Sequence, residues 1–541
     1  MNRKTFGNKI GLQLIFYLIV AYLIIIPNVS SEEINLKENY TEFNDLLTLS
    51  QGNYNSKWKQ ITSNGFGKET NIASRGMEIY NDELYIGTQN NKFPKLFLNT
   101  FPELLQVMSQ LLPNKLPMFL QMNNRFKVIF RIAHYISVRN MRRILHMVVS
   151  RSEGCEIWKY NYSMDKLTQI VGKDSITGMD SGFGYNFNCM AGAIKEFKNK
   201  LYVGTASTSI GSLQDPNRKG AEIWRYDGKS WEQVVGHNAP FVKGGFGNSE
   251  NMAISDLEEF NGYLYAGTMN WDFTEKGGCE VWRTSNGIVW EQVVAQGFRP
   301  NMSKTDLEGG ITNTYLWRIQ VFNNQLYAGT FNSYYRFVGR EGMGCQLWST
   351  SDGTSWKKMS LPNGDGYGDK ENYGIRTMVV YNDELYVGTA SNIIHDKGFE
   401  IWKYDGFKWT PMISDNIDGS KPYDIEYSGF GNPLNKYAWS MTVTSDNKLW
   451  VGTANGKLVN IFEPKTEGCE IWCYNGTKWA PIVKNGNYEM PSGFGNNKNE
   501  GVRSMIEYPQ GSGNIVCGTF KLTSTRPLIQ QEGFEMWMRT L

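Results

Sequence analysis

The chain has 541 residues, of which 40% are hydrophobic and 20% charged. This is an ordinary globular composition, and it excludes a disordered chain, a collagen and a polytopic membrane protein. The 55 basic and 53 acidic side chains leave a net charge of +2, so no overall field favours nucleic acid as a partner. The 56 glycines and 17 tryptophans are more informative, because glycine and aromatics at regular spacing are typical of repeated β-hairpins.

The N-terminus has the pattern of an export signal. Three basic residues precede an uncharged apolar run over 11–26, and small residues follow it. The run is shorter than the roughly 20 residues that span a membrane, so the pattern predicts a cleaved signal peptide over 1–31, with an uncleaved anchor as the alternative. We expect a linker over 32–50 and a mature chain outside the cytoplasm, either secreted or anchored at the cell surface.

One pentapeptide, Leu-Tyr-x-Gly-Thr or a close variant, occurs seven times. The copies begin at Leu84, Leu201, Leu264, Leu326, Leu385, Leu449 and Ile515. Each copy is followed by a Glu-Ile-Trp motif or a variant of it, and five of these motifs are followed by an Asp-Gly or Asn-Gly pair. Such a pair between apolar runs predicts a tight hairpin turn, because both residues tolerate positive φ.

Each repeat therefore predicts four short antiparallel strands, and seven repeats predict an all-β fold. We expect a seven-bladed β-propeller of four-stranded blades over 51–541. The last repeat lacks its fourth strand, but Trp58 to Ile61 has the missing pattern, so an N-terminal strand is expected to close the ring. The alternative, a string of independent hairpins, would leave unpaired strand edges in every repeat.

Seven cysteines in an exported chain ordinarily suggest disulfides. Four of them, Cys155, Cys279, Cys345 and Cys469, occupy the same position in different repeats. This places them on different sheets about 10 Å apart, beyond the reach of a disulfide. They are predicted to be small buried hydrophobic residues.

The repeats resemble the secreted β-propeller repeats of the kelch and Asp-box type. Ser351 to Trp356 resembles an Asp-box turn, although Trp356 follows Asp352 by one position fewer than in that family's pattern. The resemblance implies a fold that hosts lectins, hydrolases, lyases and scaffolds, and it implies no single function.

An asparagine precedes each pentapeptide in all seven repeats. The residues are Asn71, Asn188, Asn251, Asn313, Asn372, Asn435 and Asn499. A side chain kept in every repeat is predicted to support loop structure, since Asn readily bonds nearby backbone. The Glu before most of the motif tryptophans has the same interpretation.

Function is expected where the repeats differ at one equivalent position. Four residues after the Asn, the repeats carry Arg75, Gly192, Ser255, Trp317, Arg376, Trp439 and Arg503. Two residues after it, the fourth and sixth repeats carry Tyr315 and Tyr437. We predict that the large members of both positions line one arc of the central opening and bind a ligand. The alternative is that they fill the space between blades. The predicted ligand-binding residues are Arg75, Arg376, Arg503, Trp317, Trp439, Tyr315 and Tyr437.

No metal or other cofactor is predicted. Asp365, Asp369 and Glu371 share one loop, and Asp415 and Asp418 share another. Neither set matches a complete oxygen-ligand loop, so Ca²⁺ is only a weak alternative to solvated turns.

About 64 residues, 89–152, are inserted into the first repeat. They carry ten Lys or Arg against the single acid Glu103, with apolar residues at helical spacing. This predicts a basic amphipathic helical insertion, and contact with a membrane surface is one interpretation of it. The alternative is a helical cap on the acidic rim of the propeller itself.

These features favour an exported binding or interaction module for glycans or other anionic surface ligands, without catalysis. The alternative is a polysaccharide-active enzyme, either a sialidase-like glycosidase or a lyase. Sialidases combine Asp-box turns with three arginines that hold a carboxylate and with a tyrosine nucleophile, and that resemblance makes the three arginines and two tyrosines above the candidates. The sequence does not indicate an oligomeric state.

Overall fold

The computed structural model describes most of the repeat region. The described residues are 57–91, 152–207, 219–272, 276–304, 307, 313–332, 343–393, 395–415, 427–458, 464–521 and 532–541. The predicted signal segment 1–31 and linker 32–50 lie outside them, as does the insertion except at its ends. Gln89 and Asn90, which we assigned to the insertion, are instead the last residues of a strand. Within the described residues no helix is long and apolar enough to span a membrane.

The described part of the chain is built almost entirely from short β-strands. In chain order they are β1 (Trp58–Gln60), β2 (Asn71–Tyr80), β3 (Glu83–Asn90), β4 (Ile157–Asn161), β5 (Lys166–Val171), β6 (Met190–Phe197), β7 (Lys200–Ala206), β8 (Ile223–Tyr226), β9 (Trp231–Val235), β10 (Asn251–Phe260), β11 (Tyr263–Asn270), β12 (Val281–Thr284), β13 (Glu291–Val294), β14 (Tyr315–Phe322) and β15 (Gln325–Phe331). They continue with β16 (Leu347–Thr350), β17 (Lys357–Lys358), β18 (Asn372–Tyr381), β19 (Glu384–Ser391), β20 (Ile401–Tyr404), β21 (Trp409–Ile413), β22 (Asn435–Thr444), β23 (Lys448–Asn455), β24 (Lys457–Leu458), β25 (Pro464–Lys465), β26 (Ile471–Tyr474), β27 (Trp479–Val483), β28 (Gly501–Glu507), β29 (Ile515–Phe520) and β30 (Met536–Arg539).

All strands except the β24–β25 pair join one closed antiparallel sheet of 28 strands. Consecutive strands pair into four-stranded units, such as β10 with β11, β11 with β12 and β12 with β13. Neighbouring units meet through one backbone pair near the start of each first strand, and Ala73 opposite Phe520 closes the ring. β1 lies beside β30, with Trp58 opposite Arg539, in the place predicted for the N-terminal strand. The fold is therefore all-β and propeller-like.

The two kinds of hairpin turn differ in backbone conformation. Between the first and second strands of a unit both turn residues have positive φ, as in Asn81 and Asp82. Between the third and fourth strands only the glycine does, as in Gly228. There the Asp227 carboxylate accepts hydrogen bonds from the backbone N–H groups of Lys229 and Ser230, each at 2.8 Å. The predicted hairpin turns are present, and in them the side chain of Asp or Asn replaces a backbone acceptor, so the first turn residue does not need positive φ.

A buried hydrogen-bond network explains the repeated Asn and Glu. The Asn251 amide donates to the Gly245 carbonyl at 2.9 Å and to the Glu280 carboxylate at 2.8 Å. The same carboxylate accepts from the Trp282 indole at 2.8 Å, and the Trp282 ring stacks on Phe246 at 4.6 Å. Equivalent contacts recur in the other units, with Gln346 replacing Glu in one of them. The structural interpretation of these residues is confirmed.

The glycine of the pentapeptide lets neighbouring units approach each other. A Cβ atom on Gly267 would lie 2.5 Å from the Leu316 side chain, and one on Gly452 would lie 2.6 Å from Val502. Both contacts are shorter than real Cβ atoms tolerate, so the second strand of a unit packs against the next unit only where it lacks a side chain.

The seven cysteines are all buried and none forms a disulfide, which confirms the prediction for the four in the repeats. Burial raises the pKa of the Cys155 and Cys469 thiols well above its usual range. Thiols in this state are packing groups rather than nucleophiles.

Candidate functional site

A cavity of about 200 Å³ lies where the first strands of the units converge. Every described residue that lines it belongs to a first strand, and each first strand contributes at least two. The contributing strands are β2, β6, β10, β14, β18, β22 and β28. The cavity therefore lies at the centre of the ring, where the sequence analysis placed its candidate residues.

A β-bulge in every first strand explains why the residue four positions after the Asn is special. In β18 the pairing passes from Ile375 to Thr377 and leaves Arg376 without a partner. The same shift leaves Arg503 unpaired in β28 and Trp317 unpaired in β14. The remaining first strands show it at the equivalent position. A bulge leaves a residue outside the ladder and re-aims its side chain, so this position is free to vary between units.

The bulges bring three arginines to one cavity. Arg75, Arg376 and Arg503 all line it, and only 4% of Arg376 is exposed. Among the residues that the structure describes, no carboxylate forms an ion pair with any of the three. Arg75 donates to the sulfur of Met190 at 2.6 Å, and the Nε atoms of Arg75 and Arg503 have no hydrogen-bond partner.

The three guanidinium groups repel one another, so each makes it less favourable for the others to carry a positive charge. Burial, together with the positive charges of Arg318 and Arg75, lowers the pKa of Arg376 to about 9. Burial and the charges of Arg376 and Arg75 hold the pKa of Arg503 well below its usual value. The pKa of Arg75 is lowered by burial as well. An anion in the cavity would offset this cost, because it would supply the missing opposite charge.

Two of the predicted aromatic residues share the cavity with the arginines. Tyr315 and Trp317 line it, with ring centroids 5.6 Å apart. The Arg376 guanidinium lies 5.0 Å from the centre of the Trp317 ring. The cavity thus combines cationic groups, a phenol hydroxyl and an indole face.

The other two aromatic candidates are not among the lining residues. The Trp439 ring covers Gly501, where a Cβ atom would lie 2.1 Å from it, and its centre is 5.3 Å from the Arg503 guanidinium. The Tyr437 hydroxyl hydrogen-bonds that of Tyr373. Trp317 makes the equivalent contact with Gly374, where a Cβ atom would also lie 2.1 Å from the ring, so both tryptophans pack on a glycine of the next unit and Trp317 in addition lines the cavity.

Sequence analysis missed a second group of charged residues in the cavity. Glu78, Lys195 and Glu258 line it three positions further along their strands than the bulges. Lys195 and Glu258 form an ion pair at 2.9 Å, whereas burial raises the pKa of Glu78 to about 7. Comparison of the repeats seven residues after the Asn would have found them, because other units carry Val379 and Ile506 there.

Arg318 was also missed, although it directly follows Trp317. It lines the cavity and pairs with Asp256 at 3.2 Å. The Asp256 carboxylate in addition accepts from the Ile319 backbone N–H at 2.7 Å. Arg318 is therefore the one cavity arginine whose charge a described carboxylate balances.

The acidic loops considered for Ca²⁺ have other partners. Asp365 pairs with Lys358 at 3.0 Å, and Asp369 pairs with Lys397. The Asp415 carboxylate accepts from the Ser428 backbone N–H at 3.0 Å, while Asp418 lies outside the described residues. No three His, Cys, Asp or Glu side chains in the described ranges are grouped so that they could hold a metal ion.

Several solved structures with a similar fold are glycoside hydrolases. An α-L-arabinofuranosidase from Fusarium graminearum in complex with an iminosugar inhibitor is 11% identical, with a TM-score of 0.37, over 64% of this chain and 92% of its own. The GH74 enzyme of Niastella koreensis is 12% identical, with a TM-score of 0.40, over 86% of this chain and 53% of its own. The Trypanosoma rangeli sialidase in complex with sialic acid is 11% identical, with a TM-score of 0.36, over 64% of this chain and 53% of its own.

No protein-family model matches the sequence, and no curated protein matches it. At these identities the similarity concerns the fold alone.

Our prediction of a binding module without catalysis is corrected by these comparisons. Several of the similar solved structures are glycosidases, as in the alternative stated above, a polysaccharide-active enzyme. The sequence favoured a binding module because it has few histidines and no recognisable catalytic motif.

Proposed function

We propose that this chain is a seven-bladed β-propeller that acts as a glycosidase on an acidic glycan. The blade number is supported by the four-stranded units, each built from one repeat, and by the pairing of β1 with β30. The Asp-box resemblance is supported by Asp352, whose carboxylate accepts from the backbone N–H groups of Thr354 and Ser355 at 2.8 and 2.7 Å.

One observation supports an acidic glycan as the substrate class. Arg75, Arg376 and Arg503 line one cavity and lack a carboxylate partner in the described part of the chain. Guanidinium groups bind carboxylates through paired, charge-assisted hydrogen bonds. A buried charge without a partner is costly, so the arrangement is explained by a ligand that supplies the carboxylate. Acidic sugars combine such a group with a ring that can stack on Trp317.

The same cavity holds groups that can move protons. Hydrolysis of a glycosidic bond requires an acid that protonates the leaving oxygen. Glu78 suits this role, because burial raises its pKa to about 7 and it has no ion-pair partner among the described residues. The Tyr315 hydroxyl, beside the arginines, is the candidate nucleophile.

The proposal is tested with sialylated and uronate-containing glycans. Released reducing sugar and free acidic monosaccharide report hydrolysis, whereas the ultraviolet absorbance of an unsaturated sugar reports elimination by a lyase. We expect hydrolysis by the wild type and a loss of at least ten-fold in Arg376→Ala. Arg225→Ala is the control, since Arg225 pairs with Glu232 at 2.6 Å, outside the cavity.

Absence of product from every acidic glycan would refute the proposal, as would full activity in Arg376→Ala. An unsaturated product would reassign the enzyme to the lyases.

We further propose that the chain is exported, as the pattern over 1–31 indicates, and that the basic insertion contacts a membrane surface. Because β3 ends at Asn90 and β4 begins at Ile157, deletion of 92–151 leaves both strands intact. The deletion should abolish binding to anionic liposomes without lowering the melting temperature. Liposome binding that survives it would contradict the membrane role.

A further inference from the structure

The wall of the cavity is continuous around the axis of the ring. Its described lining comes from the first strand of each unit, and no residue of a second, third or fourth strand contributes. A polymer that crosses a binding site from side to side needs a groove with two open sides. This cavity offers access along the axis instead.

On the basis of the proposed function, we propose that the substrate enters by its chain end, so that the enzyme is exo-acting and binds one terminal acidic sugar. Axial access is the first support, because a chain end can enter a well that an internal segment cannot cross.

The size of the cavity is the second support. The volume of about 200 Å³ lies below the roughly 300 to 1,000 Å³ of pockets that hold drug-sized ligands, so the cavity suits a ligand no larger than one acidic monosaccharide. Several consecutive sugars would not fit inside the ring of first strands.

The distribution of charge is the third support. Arg75, Arg376 and Arg503 lie at the bulges, whereas Glu78 and Glu258 lie three positions further along their strands. A carboxylate beside the arginines is attracted, but a second one beside the two glutamates is repelled. The cavity is therefore suited to one carboxylate, with sugar hydroxyl groups facing the glutamates and Lys195.

The space for the sugar lies next to Arg75. Gly192 occupies the bulge position of the neighbouring unit, and a Cβ atom there would contact only the Cβ of Arg75, at 4.0 Å. In the next unit the Ser255 hydroxyl donates to the Gly267 carbonyl at 2.9 Å and so turns to the backbone. These two small residues leave space inside the cavity on one side, whereas the other units carry larger side chains at this position.

The product pattern tests the inference. The wild type is incubated with a uronic acid oligosaccharide of defined length, and with a sialylated one, each labelled at its reducing end. We expect an acidic monosaccharide and a labelled product one sugar shorter from the earliest times. Early fragments from the middle of the chain would overturn the exo-acting assignment and leave the glycosidase proposal intact. No cleavage of either substrate would refute the glycosidase proposal itself.

Gly192 allows a graded test of where the sugar binds. Gly192→Ala adds one atom at an ordinary contact distance and should keep most of the activity. Gly192→Leu fills the space beside Arg75 and should lower kcat/KM at least ten-fold, with an unchanged melting temperature and with loss of calorimetric binding of free glucuronic and sialic acid. Full activity of a folded Gly192→Leu would show that the sugar does not occupy this space.

Discussion

Replacing Arg376 by methionine should make the unliganded protein more stable while removing its activity. In the cavity wall, Arg376 is buried beside Arg75 and Arg318 and has no carboxylate partner among the described residues. Methionine has a similar length and no charge, so Arg376→Met removes the repulsion and keeps most of the packing.

The magnitude follows from the pKa of the side chain. Burial and the neighbouring cations lower it from 12.5 to about 9, which at about 1.4 kcal/mol per unit is a cost of roughly 5 kcal/mol to the folded state. Loss of the contact with Trp317, 5.0 Å away, removes about 1 to 2 kcal/mol of cation–π attraction. The net gain is about 3 kcal/mol.

The direction of this pKa shift also determines the pH range in which Arg376 destabilises the fold. The folded-state pKa lies below the unfolded value, so the cost is fully present at every pH below about 9. Above pH 9 the folded protein releases this proton before the unfolded chain does, and wild-type stability rises with pH. The advantage of Arg376→Met should therefore be constant at neutral pH and should shrink above pH 9.

Thermal unfolding at pH 7 is the assay. With an unfolding entropy of about 2.1 cal/mol/K per residue, each kcal/mol changes Tm by about 1 °C in a domain of several hundred residues. We expect Arg376→Met to melt about 3 °C above the wild type. An acidic monosaccharide should raise Tm of the wild type and leave that of the variant unchanged, because only the wild type binds it.

Arg539 provides the matched control. It is also buried, but its Nε and Nη2 atoms donate hydrogen bonds to the two oxygens of the Glu489 carboxylate, at 2.7 Å each. Arg539→Met leaves that carboxylate with the hydrogen bond from the Trp58 indole, at 2.9 Å, but without an opposite charge, and should lower stability by about 3 kcal/mol. If Arg376→Met also lowers the melting temperature, then Arg376 is a structural residue satisfied by the fold, and the argument for an anionic ligand fails.

Three further predictions concern the fold and its titration. Asn435→Ala should lower the free energy of unfolding in urea by about 3 kcal/mol, because the Gly429 carbonyl and the Glu470 carboxylate each lose a buried donor; a loss below about 1 kcal/mol would contradict the network. Glu78→Gln should match the wild type at pH 4 and be more stable at pH 8. Burial raises the folded-state pKa of Glu78 from 4.5 to about 7, so the wild type loses stability as the pH rises between these two values. A higher melting temperature for the wild type at pH 8 would refute this. The seven buried thiols should react with a thiol reagent only after denaturation, and a reductant should leave the melting temperature unchanged; a drop on reduction would indicate a disulfide.

Much of the fold follows from local patterns in the sequence. The pentapeptide and the tryptophan motif predict strands of the right length and order, and Trp58 predicts the strand that pairs with β30. The structural role of Asn251 also follows, because a side chain present in every repeat is expected to stabilise the fold that all repeats have in common. These inferences succeed because each repeat forms its own strands and turns from contacts within about 60 residues of sequence.

The site follows from the sequence only in part. The position four residues after the Asn was identifiable as variable, and it includes Arg75, Arg376 and Arg503. The sequence alone could not distinguish Trp317, which lines the cavity, from Trp439 at the equivalent position, because both rings pack on a glycine of the next unit in the same way.

Only the tertiary structure decided that these residues form one site. The bulge in each first strand takes one side chain out of the ladder, and closure of the ring brings bulges from the two ends of the chain together. The mutual charge of the arginines, the missing carboxylate partner and the raised pKa of Glu78 arise from that convergence. They depend on burial and on distances between residues up to several hundred positions apart, and no local pattern encodes either.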